Sequence, residues 1–129
     1  MDFVIIVVVL ALIQFIAFGI LVGRARAKYK VAAPASSGDP IFERYNRVHM
    51  NTLEQLACFL PAIFVYSYVG NANIAAGLRV VYLIGRLVYL RSYIADPASR
   101  GIGFALTTLP TMFMLLASLV IVIRNLFTG

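Results

Sequence analysis

Four long apolar stretches separated by three short polar ones set the pattern of this chain. The first runs from Phe3 to Val22 and is interrupted only by Gln14. About 20 apolar residues cross the hydrocarbon core of a bilayer as a helix, so this stretch predicts a helix over about residues 3–23. The next apolar run, Leu56–Val69, is led by the most polar segment of the chain, Phe42–Glu54. The two read as one helix over about 41–69, with Pro40 at a first-turn position and Pro61 inside. A proline there predicts a kink, which membrane helices tolerate. A short turn at Gly70–Asn73 leads to a third helix over about 74–95. The tight loop Asp96–Gly101 leads to a fourth over about 102–126, and residues 31–41 form a longer Pro- and Ser-containing loop.

Composition agrees with that pattern. The chain has 129 residues, enough for one domain over 1–129, and 62% of them are hydrophobic. Mean hydropathy is +0.93, whereas roughly half apolar is usual for a soluble domain. An all-α integral membrane protein is expected, a bundle of four transmembrane helices. A cleaved signal peptide is the rival reading of the first run. Asp2, the lack of an early cation and the length of the run argue for an uncleaved helix instead. The single cysteine, Cys58, excludes an internal disulfide and a cysteine metal site, and its apolar neighbours predict a small core residue. His49 is the only histidine, and no metal is expected.

A net charge of +6 raises nucleic acid as a partner. The positions of the cations remove that reading, because most lie near span ends. Arg24, Arg26, Lys28, Lys30, Arg44, Arg47, Arg91 and Arg100 gather at one side, with only Arg79 and Arg124 at the other. The positive-inside rule then predicts that loops one and three are cytoplasmic and both termini lie on the opposite side.

Candidate chemistry lies on the second and third helices. Arg47, Asn51 and Glu54 fall at i, i+4 and i+7, so they share a face that offers a guanidinium, an amide and a carboxylate. A small zwitterion would match it. Arg86, Tyr89 and Tyr93 form a second stripe at i, i+3 and i+7. An arginine at mid-span costs about 2.5–3.5 kcal/mol or more, so Arg79 and Arg86 should face the bundle interior or water. Glu54 is the expected partner of Arg86, since pairing lowers the cost to both. Tyr82 reads as an interfacial tyrosine. Gln14 reads as a helix–helix hydrogen bond, and Thr107 and Thr108 as partners for carbonyls freed near Pro110.

The residues Phe42-Glu43-Arg44, Arg47, Asn51 and Glu54, followed by Val81-Tyr82-Leu83, Arg86, Tyr89, Tyr93 and Arg100, resemble the MAPEG family. These are the membrane-associated proteins in eicosanoid and glutathione metabolism. The resemblance covers essentially the whole chain, and its E-R-x-x-R-x-x-x-N-x-x-E run is specific. It implies a homotrimer with glutathione sites at subunit interfaces near the cytoplasmic face. By position, Arg47, Asn51 and Glu54 would hold the glutathione backbone. Arg26, Tyr89 and Tyr93 would contact its carboxylates and peptide groups, and Arg100 would sit at the thiol. Arg100 and Tyr93 are the candidate catalytic residues. His49 occupies a position that touches glutathione in some members, but it lies about 200° round the helix from Arg47. Gln55 stands where some members have a tyrosine, and Ala27 where some have a second arginine.

The chemistry is consistent with that implication. Glutathione carries two carboxylates and an ammonium, and arginine binds carboxylates bidentately. Its thiol titrates near 8.5 unless perturbed, and a nearby guanidinium favours the thiolate. The expected function is that of a glutathione transferase or peroxidase, with glutathione as co-substrate and a lipophilic second substrate arriving from the bilayer. Two other classes remain. A small multidrug transporter would carry a glutamate in its first helix, where this chain has Gln14. A non-catalytic lipid-binding scaffold would have less need for the complete set Arg47, Asn51, Glu54, Tyr93 and Arg100.

Overall fold

The computed structural model describes residues 2–129. Four helices follow one another: α1 (Asp2–Lys28), α2 (Pro40–Val69), α3 (Ala72–Ala95) and α4 (Gly101–Thr128). A short 3₁₀ turn, Pro97–Ser99, precedes α4. All four membrane spans are long and apolar enough to cross a bilayer. The first helix extends five residues past its expected end, through Lys28. Arg24–Lys28 contains only alanine, arginine and lysine, all strong helix formers, so nothing in the sequence stops the helix where the apolar run does.

Polar side chains cap the starts of α2 and α3. Asp39 caps α2, its carboxylate accepting from the N–H groups of Ile41 and Phe42 at 2.9 Å, with Pro40 at the first helical position. Asn71 caps α3 by accepting from Asn73 and Ile74. The third helix therefore starts at Ala72, two residues before its expected start. Each cap satisfies backbone donors that a helix start leaves unpaired.

The core brings Val4, Val7 and Ala11 of α1 against Phe59, Ile63 and Tyr66 of α2, with Tyr82 of α3 and Met114 of α4 completing it. Gln14 donates to the carbonyl of Leu83 at 3.1 Å and ties α1 to α3, as the sequence leads one to expect. The closest packing is between α3 and α4, where two glycines let the backbones meet. A Cβ on Gly85 would come within 2.8 Å of Leu106, and one on Gly103 would collide with the backbone of Tyr89. Close approach at small residues is how membrane helices gain dispersion energy.

Three expectations are corrected. Tyr82 is not an interfacial tyrosine: it is fully buried and stacks on Phe59 with ring centroids 3.7 Å apart. The reason is the period of α3, whose buried residues Ala75, Arg79, Tyr82, Arg86 and Tyr89 form one continuous inward stripe. Cys58 is exposed rather than in the core, because the buried face of α2 runs through Leu56, Phe59 and Ile63. Two residues from Leu56 is about 200° round the helix. Thr108 does not relieve Pro110. Its hydroxyl accepts from Gln55, while Thr107 bonds back to Gly103.

Candidate functional site

Arg44 sets the geometry of the site, although the sequence pattern does not single it out for a role. From the first turns of α2 it donates to the carbonyls of Ile94 and Ala95, at 2.8 and 3.4 Å. Those carbonyls end α3 and have no helical partner. The bond clamps the start of α2 to the end of α3, so the two polar stripes stand side by side.

Between them lies a cavity of about 450 Å³ lined by Arg47, Asn51, Tyr89, Tyr93, Arg100 and Phe104. The sequence pattern selects four of these six, and the family resemblance supplies Arg100. Phe104 is the addition, and its signal was available: it stands at i+4 from Arg100, on the same face of the start of α4. Tyr89 and Tyr93 stack with centroids 5.6 Å apart. Gly103 holds α4 against Tyr89 and so brings Arg100 to the mouth of the cavity.

Beneath the cavity is a buried arginine. Arg86 is fully buried, and both of its terminal nitrogens donate to Asn51 Oδ1 at 3.0 Å. Its guanidinium also lies 4.4 Å from the centre of the Tyr89 ring, at cation–π distance. Glu54 is not its partner. That carboxylate turns outward and accepts from Arg47 at 3.1 Å, with both side chains about half exposed (51% and 55%). Helical geometry explains the difference. Glu54 lies about 20° from Arg47 around the axis, while Asn51 is rotated about 60° from Glu54, toward α3. Because its oxygen is committed to Arg86, Asn51 presents amide N–H groups to the cavity.

Three of the sequence-selected residues do not line this cavity. Glu54 stands beside it on the exposed face of α2. Arg26 folds over the first loop, donating to the carbonyls of Ala32 and Ala35 at 3.2 and 2.8 Å, and covers the Phe42 ring. His49 packs between α1 and α2, stacked on Phe15 at 4.4 Å and close against Gly19. No cluster of metal-ligating side chains occurs among the described residues. In chemical terms the cavity is lined by hydrogen-bond donors and cations. It offers two guanidinium groups, an amide donor and two phenol hydroxyls, with one aromatic wall.

This is an integral, multi-pass membrane protein of four helices, with a cation-lined cavity at one end of the bundle. It belongs to the MAPEG family, whose family model matches residues 3–120. An uncharacterized protein of Synechocystis is 42% identical over 117 residues, covering 91% of this chain and 85% of that protein. Human microsomal glutathione S-transferase 2 is 37% identical over 90 residues, 70% of this chain and 61% of its own length. Bovine leukotriene C4 synthase is 32% identical over 83 residues, 64% of this chain and 55% of its own length. The chain thus aligns with less than two thirds of either named relative.

Proposed function

We propose that this protein is a membrane-bound glutathione transferase, with glutathione peroxidase activity as a second outcome of the same thiolate chemistry. The observation that carries the reading is the cavity that gathers Arg47 and Asn51 from α2, Tyr89 and Tyr93 from α3 and Arg100 from the residue before α4. Its volume falls within the about 300–1,000 Å³ of small-molecule sites. The relative named microsomal glutathione S-transferase 2 supports the same substrate.

In this reading the guanidinium of Arg47 and the amide of Asn51 hold a carboxylate and a peptide group of glutathione. Tyr89 and Tyr93 flank the tripeptide. Arg100 faces the sulfur, where its charge favours thiolate over thiol and the released proton passes to water. The thiolate then attacks an electrophilic carbon, forming the C–S bond as the leaving group departs with its electron pair. With a lipid hydroperoxide, attack on the terminal oxygen gives an alcohol and a glutathione sulfenic acid, which a second glutathione converts to disulfide and water. Arginine cannot act as a base near neutral pH, so its contribution is electrostatic.

Self-association completes the proposed site. The Arg47–Glu54 pair is exposed on a membrane-spanning helix beside Met50 and Leu53, which are also exposed. Charges facing lipid are costly. A homotrimer would cover them, and would let Arg26 and Glu54 of one copy serve the cavity of the next, Glu54 pairing with the ammonium of glutathione. His49, held between α1 and α2, acts in packing. The cation distribution orients this end of the bundle, with loops one and three, toward the cytoplasm.

The test is thiolate difference absorbance and turnover on purified protein in nanodiscs, against a panel of electrophiles and lipid hydroperoxides. A glutathione-dependent thiolate band at pH 7 with turnover of at least one class is the expected result. Absence of both would overturn the reading.

A further inference from the structure

A second arginine-lined cavity opens at the other end of the bundle, where α1 and α3 begin and α2 ends. It has a volume of about 430 Å³, and its walls include Phe3, Val4, Ser67, Asn73, Ala76 and Arg79. Arg79 lies 14 residues from Tyr93, or about 21 Å along the axis of α3 at 1.5 Å per residue. The two cavities are therefore separate sites, one at each end of the span.

Arg79 is only 4% exposed. One terminal nitrogen donates to the hydroxyl of Ser67, and its Nε is buried with no partner. The ion pair of the described residues is Arg47–Glu54, so no carboxylate neutralises Arg79. Asp2, the acid nearest this cavity in the sequence, makes no bond to it. Arg86, the other buried arginine, has Asn51 and the Tyr89 ring as neighbours. Arg79 has a single hydroxyl and an open cavity.

An unpaired guanidinium at this depth is expensive, and an anion from outside the chain would offset that cost. About seven residues into α3, it stands roughly 10 Å below the helix start, near the boundary between headgroups and acyl chains. We infer that this cavity binds a phosphate oxyanion at Arg79, with Ser67 and Asn73 supplying further hydrogen bonds and Phe3 and Val4 forming an apolar wall. Arginine forks suit phosphate because two parallel N–H bonds can form. The phosphate belongs either to the headgroup of an anionic lipid, with its acyl chains along the Phe3 and Val4 wall, or to a free anion entering from the aqueous phase. The site is independent of the glutathione reading, since none of its residues lines the other cavity.

Native mass spectrometry of the full chain in detergent tests this, with 1-palmitoyl-2-oleoyl phosphatidylglycerol as the anionic lipid and the matching phosphatidylcholine as control. Thermal stability in inorganic phosphate is measured in parallel. Arg79→Gln removes the charge. Ala76→Phe fills the cavity from an exposed position and leaves Arg79 in place, so it decides the matter if the first variant does not fold. Retention of phosphatidylglycerol over phosphatidylcholine, reduced about tenfold or more in the variants, assigns the lipid headgroup. Stabilisation by inorganic phosphate that the variants lose, without selective lipid retention, assigns the free anion. Equal lipid retention in wild type and variants, with no phosphate effect that depends on Arg79 or on an open cavity, would overturn the site.

Discussion

The two ends of the bundle carry cavities of nearly equal size, about 450 and 430 Å³, yet they are built for different tasks. The Arg47–Arg100 end has two cationic side chains, an amide and two stacked phenols, drawn from α2, α3 and the residue that precedes α4. Its structural arginine, Arg86, is sealed beneath it and pointed at Asn51. At the Arg79 end a single guanidinium is itself the buried group, with Ser67 and an apolar wall. Volume therefore says little about either site. The number of donors, and whether the buried charge already has a partner, separates a site that can orient a tripeptide from one that can hold a single oxyanion.

That contrast breaks most sharply at Arg100. Arg100→Ala should keep glutathione affinity, lose the thiolate band at pH 7 and lower turnover about 10²–10³-fold, the usual cost of removing one preorganised electrostatic contact. Near-native turnover with a normal thiolate signal would move the role to Tyr93, donating to the sulfur.

Arg86 is the next largest effect, and it acts on stability. Arg86→Leu leaves the buried oxygen of Asn51 without its donor and should cost about 2–4 kcal/mol. Thermal unfolding in detergent checks this. An unchanged midpoint would mean that the Arg86–Asn51 bonds add nothing to the fold.

Gly103→Val tests the α3–α4 contact. Its side chain would enter the Tyr89 backbone, so a loss of about 1–3 kcal/mol should accompany weaker glutathione binding. Gly77→Val, on the same helix pair but with open space around its Cβ, is the control expected to leave binding unchanged.

Glu54→Gln should weaken glutathione binding about tenfold, measured by calorimetry, if a partner copy's ligand uses this carboxylate. Its effect on stability should be small, because an exposed ion pair adds about 0–1 kcal/mol. Native mass spectrometry on the same samples should show trimers. Only monomers or dimers would remove the interface on which the role of Glu54 depends.

Sequence by itself determined the four spans, their order and their boundaries to within five residues, because apolar run length is a local property set by bilayer thickness. Helical spacing picked out four of the six residues that line the Arg47–Arg100 cavity, Arg47 with Asn51 and Tyr89 with Tyr93, and the family resemblance added Arg100. Only the tertiary structure decided how the polar groups pair. Glu54 looked like the natural partner for Arg86 as the one acid at similar depth, but a rotation of about 60° around α2 gives that place to Asn51. His49 lies on the expected helix and Arg26 on the unexpected extension of α1, and both face other neighbours. Tyr82 and Arg79 belong to the same inward stripe as Arg86, and Arg44 clamps two helix ends 50 residues apart. Helical periodicity states which residues of one helix share a face. Which face meets which neighbour depends on how all four helices pack, and that information is spread across the whole chain.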